Sequence, residues 1–386
     1  MKKIKVITVF GTRPEAIKMA PLVKELEKRD EIHSIVAVTA QHRQMLDQVL
    51  EIFDIKPDYD LNIMKNRQTL VDITANVLTG LYEVIKTEKP DIVLVHGDTT
   101  TTFAGALAAF YNQVTVGHIE AGLRTYDIYS PFPEEMNRKL TGQIAGLHFS
   151  PTIQNKLNLL EEGVKEENIF ITGNTVIDAL KTTVKNDYIF NDETLRNLDF
   201  SKKVIVVTAH RRENLGEPLQ NICNALKRLA VEFKDDVQIV YPVHLNPAVR
   251  EVAFGTLDGL DNVHLIEPVD VCELHNLMDR SYMVMTDSGG LQEEAPSLGK
   301  PVLVLRHETE RPEAVKAGTV KLAGVIEEDI YNMAKTLLTD KEAYEKMAKS
   351  VNPYGDGLAS KRSVDAIIYH FNKNTPRPDD LYVLVD

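Results

Sequence analysis

Met285-Thr286-Asp287-Ser288-Gly289-Gly290-Leu291-Gln292-Glu293-Glu294 runs on through Ala295-Pro296-Ser297-Leu298-Gly299-Lys300-Pro301 into a second apolar run at 302–305. An apolar segment ends, two glycines turn the chain, and a short helical pattern opens with paired glutamates inside it. Strand, glycine turn, helix, strand is the geometry that turns free backbone N–H groups toward an anion. The stretch is neither a P-loop nor the dinucleotide fingerprint, since both need glycine spacings it lacks. An ordinary βα turn would look much the same, so the glycines alone do not decide. The acids sharpen the reading, because a glutamate one turn into such a helix can accept hydrogen bonds from a ribose.

Working outward, apolar runs rich in Val and Ile recur at 4–10, 35–40, 92–96, 114–119, 147–150 and 169–172. A second set follows at 204–208, 237–243, 263–266, 282–286, 302–305 and 320–322. The runs are continuous rather than alternating, as expected of strands covered by helices on both faces. Helix-like segments separate them. The pattern predicts an α/β protein with two doubly wound parallel sheets around a cleft. The expected division lies near Gly173, with 174–198 as a helical connection. The helical pattern at 360–372 is expected to return to the first domain. That gives a first domain of 1–172 plus 360–374, a second of 173–359 and a tail of 375–386 without evident role.

With 386 residues, two or three domains are expected. A formal net charge of −13 argues against nucleic acid or an anionic membrane as partner. An anionic small ligand would then need local cations to hold it. Two cysteines, Cys223 and Cys272, are too few for a disulfide scaffold and fit a reducing cytoplasm. The first apolar run is short and leads into Gly11-Thr12-Arg13-Pro14-Glu15, so it reads as a buried strand rather than a signal peptide. No apolar stretch is long enough to span a bilayer.

Chemistry-bearing residues cluster where the runs end. After 4–10, Thr12 and Glu15 have capping-box spacing, and Arg13 and Lys18 place positive charge around a helix start. The alternative there is a capped helix with two solvated cations. After 92–96 comes Gly97-Asp98 and four threonines, good loop and cap material; Asp98 could itself be a cap. After 114–119 comes Glu120. Two carboxylates at strand ends suggest acid/base groups in a cleft. Pro131-Phe132-Pro133 then starts a helix on which Glu134 and Arg138, four residues apart, can pair. In the second half His210-Arg211-Arg212 follows a strand as a candidate diphosphate contact, and Tyr241-Pro242-Val243-His244 ends the next strand similarly. No metal-ligand spacing and no nucleophile elbow is present.

Together these segments resemble a known family. Phe-Gly-Thr-Arg-Pro-Glu-Ala-Ile-Lys (10–18), His-Gly-Asp-Thr-Thr-Thr-Thr (96–102), His-Ile-Glu-Ala-Gly-Leu-Arg (118–124) and Pro-Glu-Glu-x-Asn-Arg (133–138) are similar to motifs of the bacterial non-hydrolysing UDP-N-acetylglucosamine 2-epimerases. So are Thr-Gly-Asn-Thr-Val-Ile-Asp (172–178), His-Arg-Arg-Glu (210–213) and Thr-Asp-Ser-Gly-Gly-x-Gln-Glu-Glu-Ala-Pro (286–296). The resemblance runs from residue 4 to about residue 371.

It implies a glycosyltransferase-B-type fold of two Rossmann-like domains with an interdomain active-site cleft. It also implies a cytoplasmic homodimer and reversible epimerisation of UDP-GlcNAc to UDP-ManNAc without a cofactor or metal, supplying ManNAc for cell-surface polysaccharide. By motif, Asp98, Glu120 and Glu134 are the acid/base carboxylates, with the proton-abstracting one left open. Arg13 and His210 face the diphosphate, Lys18 stabilises charge, and Arg138 positions Glu134. Ser288, Gly289 and Gly290 offer N–H groups to phosphate, Glu294 accepts from the ribose, and Arg311 closes the sugar pocket. A second UDP-GlcNAc is expected as allosteric activator at Gln41, His42, Gln44, Arg67, Arg212 and His244. Competing readings are a retaining glycosyltransferase, a hydrolysing relative that releases free ManNAc, and a non-catalytic UDP-sugar sensor.

Overall fold

The computed structural model describes residues 3–40, 43–65 and 68–382. The chain divides into two compact units, one formed by Met1–Lys181 with Tyr354–Tyr382 and the other by Thr182–Pro353. The first contains a seven-stranded sheet of β1 (Ile4–Phe10), β2 (Ile32–Val38), β3 (Tyr59–Asp60), β4 (Ile92–His96), β5 (Thr115–Ile119), β6 (Leu147–Ser150) and β7 (Ile169–Ile171). Its order is β3-β2-β1-β4-β5-β6-β7. The second contains six strands, β8 (Lys203–Thr208), β9 (Val237–Pro242), β10 (Val263–Ile266), β11 (Met283–Thr286), β12 (Val302–Val304) and β13 (Val320–Leu322), in the order β10-β9-β8-β11-β12-β13. Every pairing in both sheets is parallel.

The apolar runs were buried for the expected reason. Val6, Phe10, Leu94 and Phe149 face one core of the first unit, and Ile7, Val9, Val93 and Val95 face another, so helices cover both sides of the sheet. The second sheet is likewise packed, with Ile205, Val207, Ile239, Met283 and Met285 against Leu226, Leu229 and Leu337. Each such fully buried aliphatic contributes about 1.5–3 kcal/mol relative to exposure. Strand order reverses between β1 and β4 in one sheet and between β8 and β11 in the other, and ligands of open α/β sheets bind beyond the carboxyl ends of strands at such reversals.

Two features differ from the sequence reading. β3 carries no apolar run, being two residues long with Asp60 exposed. It is held by the Asp58 N–H on the Val36 carbonyl (2.9 Å) and the Val36 N–H on the Asp58 carboxylate (2.8 Å). β2 begins at Ile32, because His33 and Ser34 interrupt the apolar pattern while Ile4 and Ile32 remain in register.

The division falls after Lys181 and before Tyr354, not at 172/173 and 359/360. The helix Thr175–Thr183 starts within the first unit, where the Asn174 N–H donates to the Tyr354 carbonyl at 2.7 Å. Asp178 accepts from the N–H groups of Ala359 (3.1 Å) and Ser360 (2.8 Å), so it caps the returning helix Ala359–Phe371. The tail also has a place. Leu381 donates to the Ile171 carbonyl (2.7 Å), Asp380 accepts from the Ile171 N–H (2.8 Å), and Arg377 donates to the Glu167 and Ile169 carbonyls (3.0 and 2.8 Å). It covers the open edge of β7, which would otherwise present unpaired backbone groups.

Candidate active site

In the first unit three strand ends meet. Thr12 caps the helix Arg13–Glu27, and the capping box is complete: the buried Glu15 accepts from the N–H groups of Thr12 (2.8 Å) and Gly11 (3.0 Å). Glu15 also accepts from the Thr99 hydroxyl at 2.6 Å, which ties the loop after β1 to the loop after β4. Gly11 must be glycine, since a Cβ there would lie 2.0 Å from Thr39 Oγ1. Arg13 is half-buried and has no partner among the described residues. After β4, Thr99 rather than Asp98 is the cap of the helix Thr100–Tyr111. Asp98 is therefore left to project from the loop.

Glu120, just past β5, is the centre of the cluster. It is buried, and its backbone sits in the left-handed region (φ 61°), a conformation that costs a non-glycine residue energy and persists when its surroundings fix it. Those surroundings are visible. Lys18 Nζ contacts Oε2, Asn174 Nδ2 donates to Oε2 (3.2 Å), and His96 Nε2 stands 3.4 Å away. Arg138 donates to the Glu120 carbonyl (2.6 Å) and lies 3.5 Å from Oε1. Burial alone would raise the Glu120 carboxyl, but Lys18, then His96 and Arg138, outweigh it and hold the group well below the usual carboxylate range. Burial, with Arg138 next, pushes the His118 imidazole well below its usual value, and His118 Nε2 donates to the Gly97 carbonyl at 2.7 Å, shaping the Asp98 loop.

Arg138 corrects one expectation. The i,i+4 spacing predicts a pair with Glu134, yet the guanidinium reaches Asp98 and Glu120. Asn137, Arg138 and Thr141 form the buried face of the helix Glu134–Ile144, so Arg138 points at the sheet rather than along the helix surface. Asn137 Nδ2 adds a 3.0 Å bond to the Asp98 carbonyl. Glu134 is half-buried, with no ionic or hydrogen-bonded partner among the described residues. Its neighbour Glu135 is the structural acid, accepting from the N–H groups of Thr125 and Tyr126 (both 3.1 Å).

In the second unit the strand ends of β8 and β11 are joined by Asp287. Its Oδ2 accepts from the N–H groups of His210 and Arg211 (both 2.8 Å) and from Asn214 Nδ2 (3.1 Å). The carboxylate that opens the glycine turn is therefore scaffolding, and it fixes the His210-Arg211 loop. His210 is partly exposed and stacks on His244, with ring centroids 5.0 Å apart and planes 8° apart. Burial lowers the His210 pKa, Asp287 opposes, and His244 and Arg211 lower it further.

Of the three turn residues, Ser288 has its N–H donated to Thr286 Oγ1 at 2.9 Å. The Gly289 and Gly290 N–H groups have no acceptor among the described residues. A Cβ on Gly289 would sit 3.6 Å from the Arg311 guanidinium, so that cation stands over the turn, held by Glu293 at 2.5 Å. Glu294, in contrast, turns toward His275 Nε2 at 3.2 Å. Arg211 lies 3.3 Å from Glu310, which burial would raise but Arg306 brings down to about 2. Arg212 is exposed. Of the expected activator residues, Gln41, His42 and Arg67 lie outside the described residues, as does the Gln44 side chain; Arg212 and His244 are described.

His96, Asn174 and His275 were not singled out in the sequence, whereas Glu15 was read there only as half of a capping box, and Asp287 and Glu293 only as members of the glycine-turn stretch. No helix among the described residues is long and apolar enough to cross a membrane.

One unit presents carboxylates clamped by cations at strand ends, and the other presents a glycine turn beneath a guanidinium. The chain is thus a two-unit α/β protein with a carboxylate–cation cluster in one unit and a glycine turn beside a guanidinium in the other. The chain belongs to the UDP-N-acetylglucosamine 2-epimerase family, whose model matches residues 24–368. It is 62% identical over 379 residues to the UDP-N-acetylglucosamine 2-epimerase of Bacillus subtilis, covering 98% of this chain and 99% of that one. The S. aureus MnaA–UDP co-structure is 54% identical with a TM-score of 0.89, covering 99% of this chain and 100% of that one. The Neisseria meningitidis UDP-GlcNAc 2-epimerase bound to UDP-GlcNAc is 53% identical with a TM-score of 0.86, covering 95% and 100%.

Proposed function

We propose that the chain interconverts UDP-N-acetylglucosamine and UDP-N-acetylmannosamine at C2 without hydrolysing either. The observation that carries this reading is the Glu120 cluster, a buried carboxylate kept ionised by Lys18 and Arg138 with Asp98 on the same guanidinium. The sugar C2–H has no neighbouring carbonyl to acidify it, so direct deprotonation is too slow. Breaking the C1–O bond to UDP first gives C1 oxocarbenium character and makes the C2 proton removable. Elimination yields 2-acetamidoglucal and UDP. Re-addition, with a proton delivered to the other face, yields the epimer and needs no redox cofactor.

Such a reaction needs acid/base groups for both faces and a hold on the leaving group while it is free. Asp98, Glu120 and Glu134 are the acid/base set. Lys18 and Arg138 keep Glu120 ionised, and Arg138 also orients Asp98. Arg13, His210, the Gly289 and Gly290 N–H groups and Arg311 are the diphosphate and sugar-pocket contacts, and Glu294 takes the ribose. A homodimer in the cytoplasm, supplying ManNAc to surface polysaccharide, completes the reading. In it a second UDP-GlcNAc activates through Arg212 and His244 with Gln41, His42, Gln44 and Arg67.

Incubation with UDP-GlcNAc, followed by proton NMR of the products, is the test. UDP-ManNAc should accumulate to an equilibrium mixture. Free ManNAc with stoichiometric UDP would instead make the chain a hydrolase, and UDP release only with an added acceptor would make it a glycosyltransferase. If UDP-ManNAc turnover accelerates with trace UDP-GlcNAc in the parent, Arg212→Ala should lose that acceleration.

A further inference from the structure

Adjacent glutamates in the helix Leu291–Ser297 do different work. Glu293 faces Arg311. Glu294 faces the other way, with Oε2 3.2 Å from His275 Nε2. A Cβ built on Gly290 would lie 3.2 Å from Glu294 Oε1, so this oxygen sits against the glycine turn. Oε1 has no protein donor among the described residues. An acceptor oxygen held beside an anion-binding turn repels the anion itself but suits a hydroxyl donor attached to it.

His275 is what holds that oxygen in place. It is 1% exposed, on the helix Val271–Arg280, and a buried imidazole is costly unless both ring nitrogens find partners. Nδ1 is 2.7 Å from Thr183 Oγ1, and Nε2 faces Glu294; a carboxylate only accepts, so Nε2 carries the proton. Thr183 is itself fixed. The next residue of the helix, Asn276, donates to the Thr183 carbonyl (2.7 Å) and accepts from the Lys185 N–H (2.9 Å). The line Thr183–His275–Glu294 is thus a buried polar relay that ends on one carboxylate and aims its second oxygen at the turn.

We propose that His275 is the positioning residue for ribose recognition: through Thr183 and Glu294 it makes the chain select a nucleoside diphosphate with an intact ribose diol over its deoxy counterpart. This rests on the reading of Glu294 as the ribose ligand. Binding of UDP and of 2′-deoxy- and 3′-deoxy-UDP, measured calorimetrically, tests both. In the parent chain UDP binds roughly tenfold tighter or more than at least one deoxy analogue, the size expected for a hydrogen bond to a charged group. His275→Phe brings UDP affinity down to that of the analogue and leaves analogue binding within about twofold, which also reports that the variant is folded. His275→Gln, whose amide can reach Glu294, restores most of the preference. Thr183→Val keeps shape and loses about threefold of it.

Equal binding of UDP and both analogues by the parent chain overturns the reading of Glu294. Discrimination lost in Glu294→Ala but kept in His275→Phe leaves that reading standing and overturns the role of His275. If His275→Phe does not fold, full discrimination in Thr183→Val overturns the relay, and partial loss there with retention in His275→Gln upholds it.

Discussion

Glu120 and Asp287 invite comparison. Each is a buried acid just past a central strand of its own sheet. Glu120 is surrounded by charged and polar side chains: Lys18, Arg138, His96 and Asn174. Asp287 instead receives the backbone N–H groups of His210 and Arg211 and the Asn214 amide. A carboxylate bound by backbone N–H groups fixes a loop. One bound by charged side chains is held in its ionised form without fixing a backbone turn. Burial and strand-end position are shared by both; what differs is the identity of the donors.

The largest expected break in this contrast is Glu120→Gln. It should lower turnover by roughly 10²–10⁴-fold, the range for losing one acid/base group, with UDP affinity nearly unchanged. Asp287→Ala should act first on stability, with activity following. It strands two backbone N–H groups and an amide, so stability should fall by about 3 kcal/mol in denaturant titrations, with activity lost through loosening of the His210 loop. Equal stability losses from both substitutions, with equal turnover losses, would erase the distinction.

Acid should expose the same difference. A glutamate carboxyl ordinarily titrates at about 4.3, and Glu120 in the folded chain is held well below that. Its stabilisation is therefore complete above the ordinary value and is lost as pH falls below it toward the folded one. Melting temperature should drop less steeply below that pH in Glu120→Gln than in the parent chain. The smallest effect belongs to the tail. Arg377→Ala removes one bond to the Ile169 carbonyl of β7, one to the Glu167 carbonyl just before it, and stacking on Phe170, where the guanidinium lies 4.2 Å from the ring centroid. About 1 kcal/mol of stability and no turnover should be lost.

Most of the architecture was legible because both sheets are covered on two faces, so each long strand left an apolar run. β3 left none: two residues on an edge need only backbone pairing. The division of the chain was misplaced because Asp178 and Lys181 bind segments almost two hundred positions later, Lys181 donating to the Gly357 carbonyl at 2.6 Å. At the candidate site, strand-end residues were legible as positions, since topology puts loops at sheet reversals. Their partners were not. The Glu134–Arg138 spacing describes a helix surface, whereas Arg138 lies on the buried face and meets Asp98 across forty positions of sequence. Glu293 and Glu294 are adjacent and alike in sequence, and only the fold turns one to Arg311 and the other to His275.

The central claim, that these carboxylates exchange the C2 proton after UDP departs, is tested most directly by incubating UDP-GlcNAc with the protein in D2O and following the C2 position by NMR. Deuterium should enter C2 in the parent chain, in both epimers, and be suppressed in Glu120→Gln in step with turnover. Epimers formed with no deuterium at C2 would contradict it.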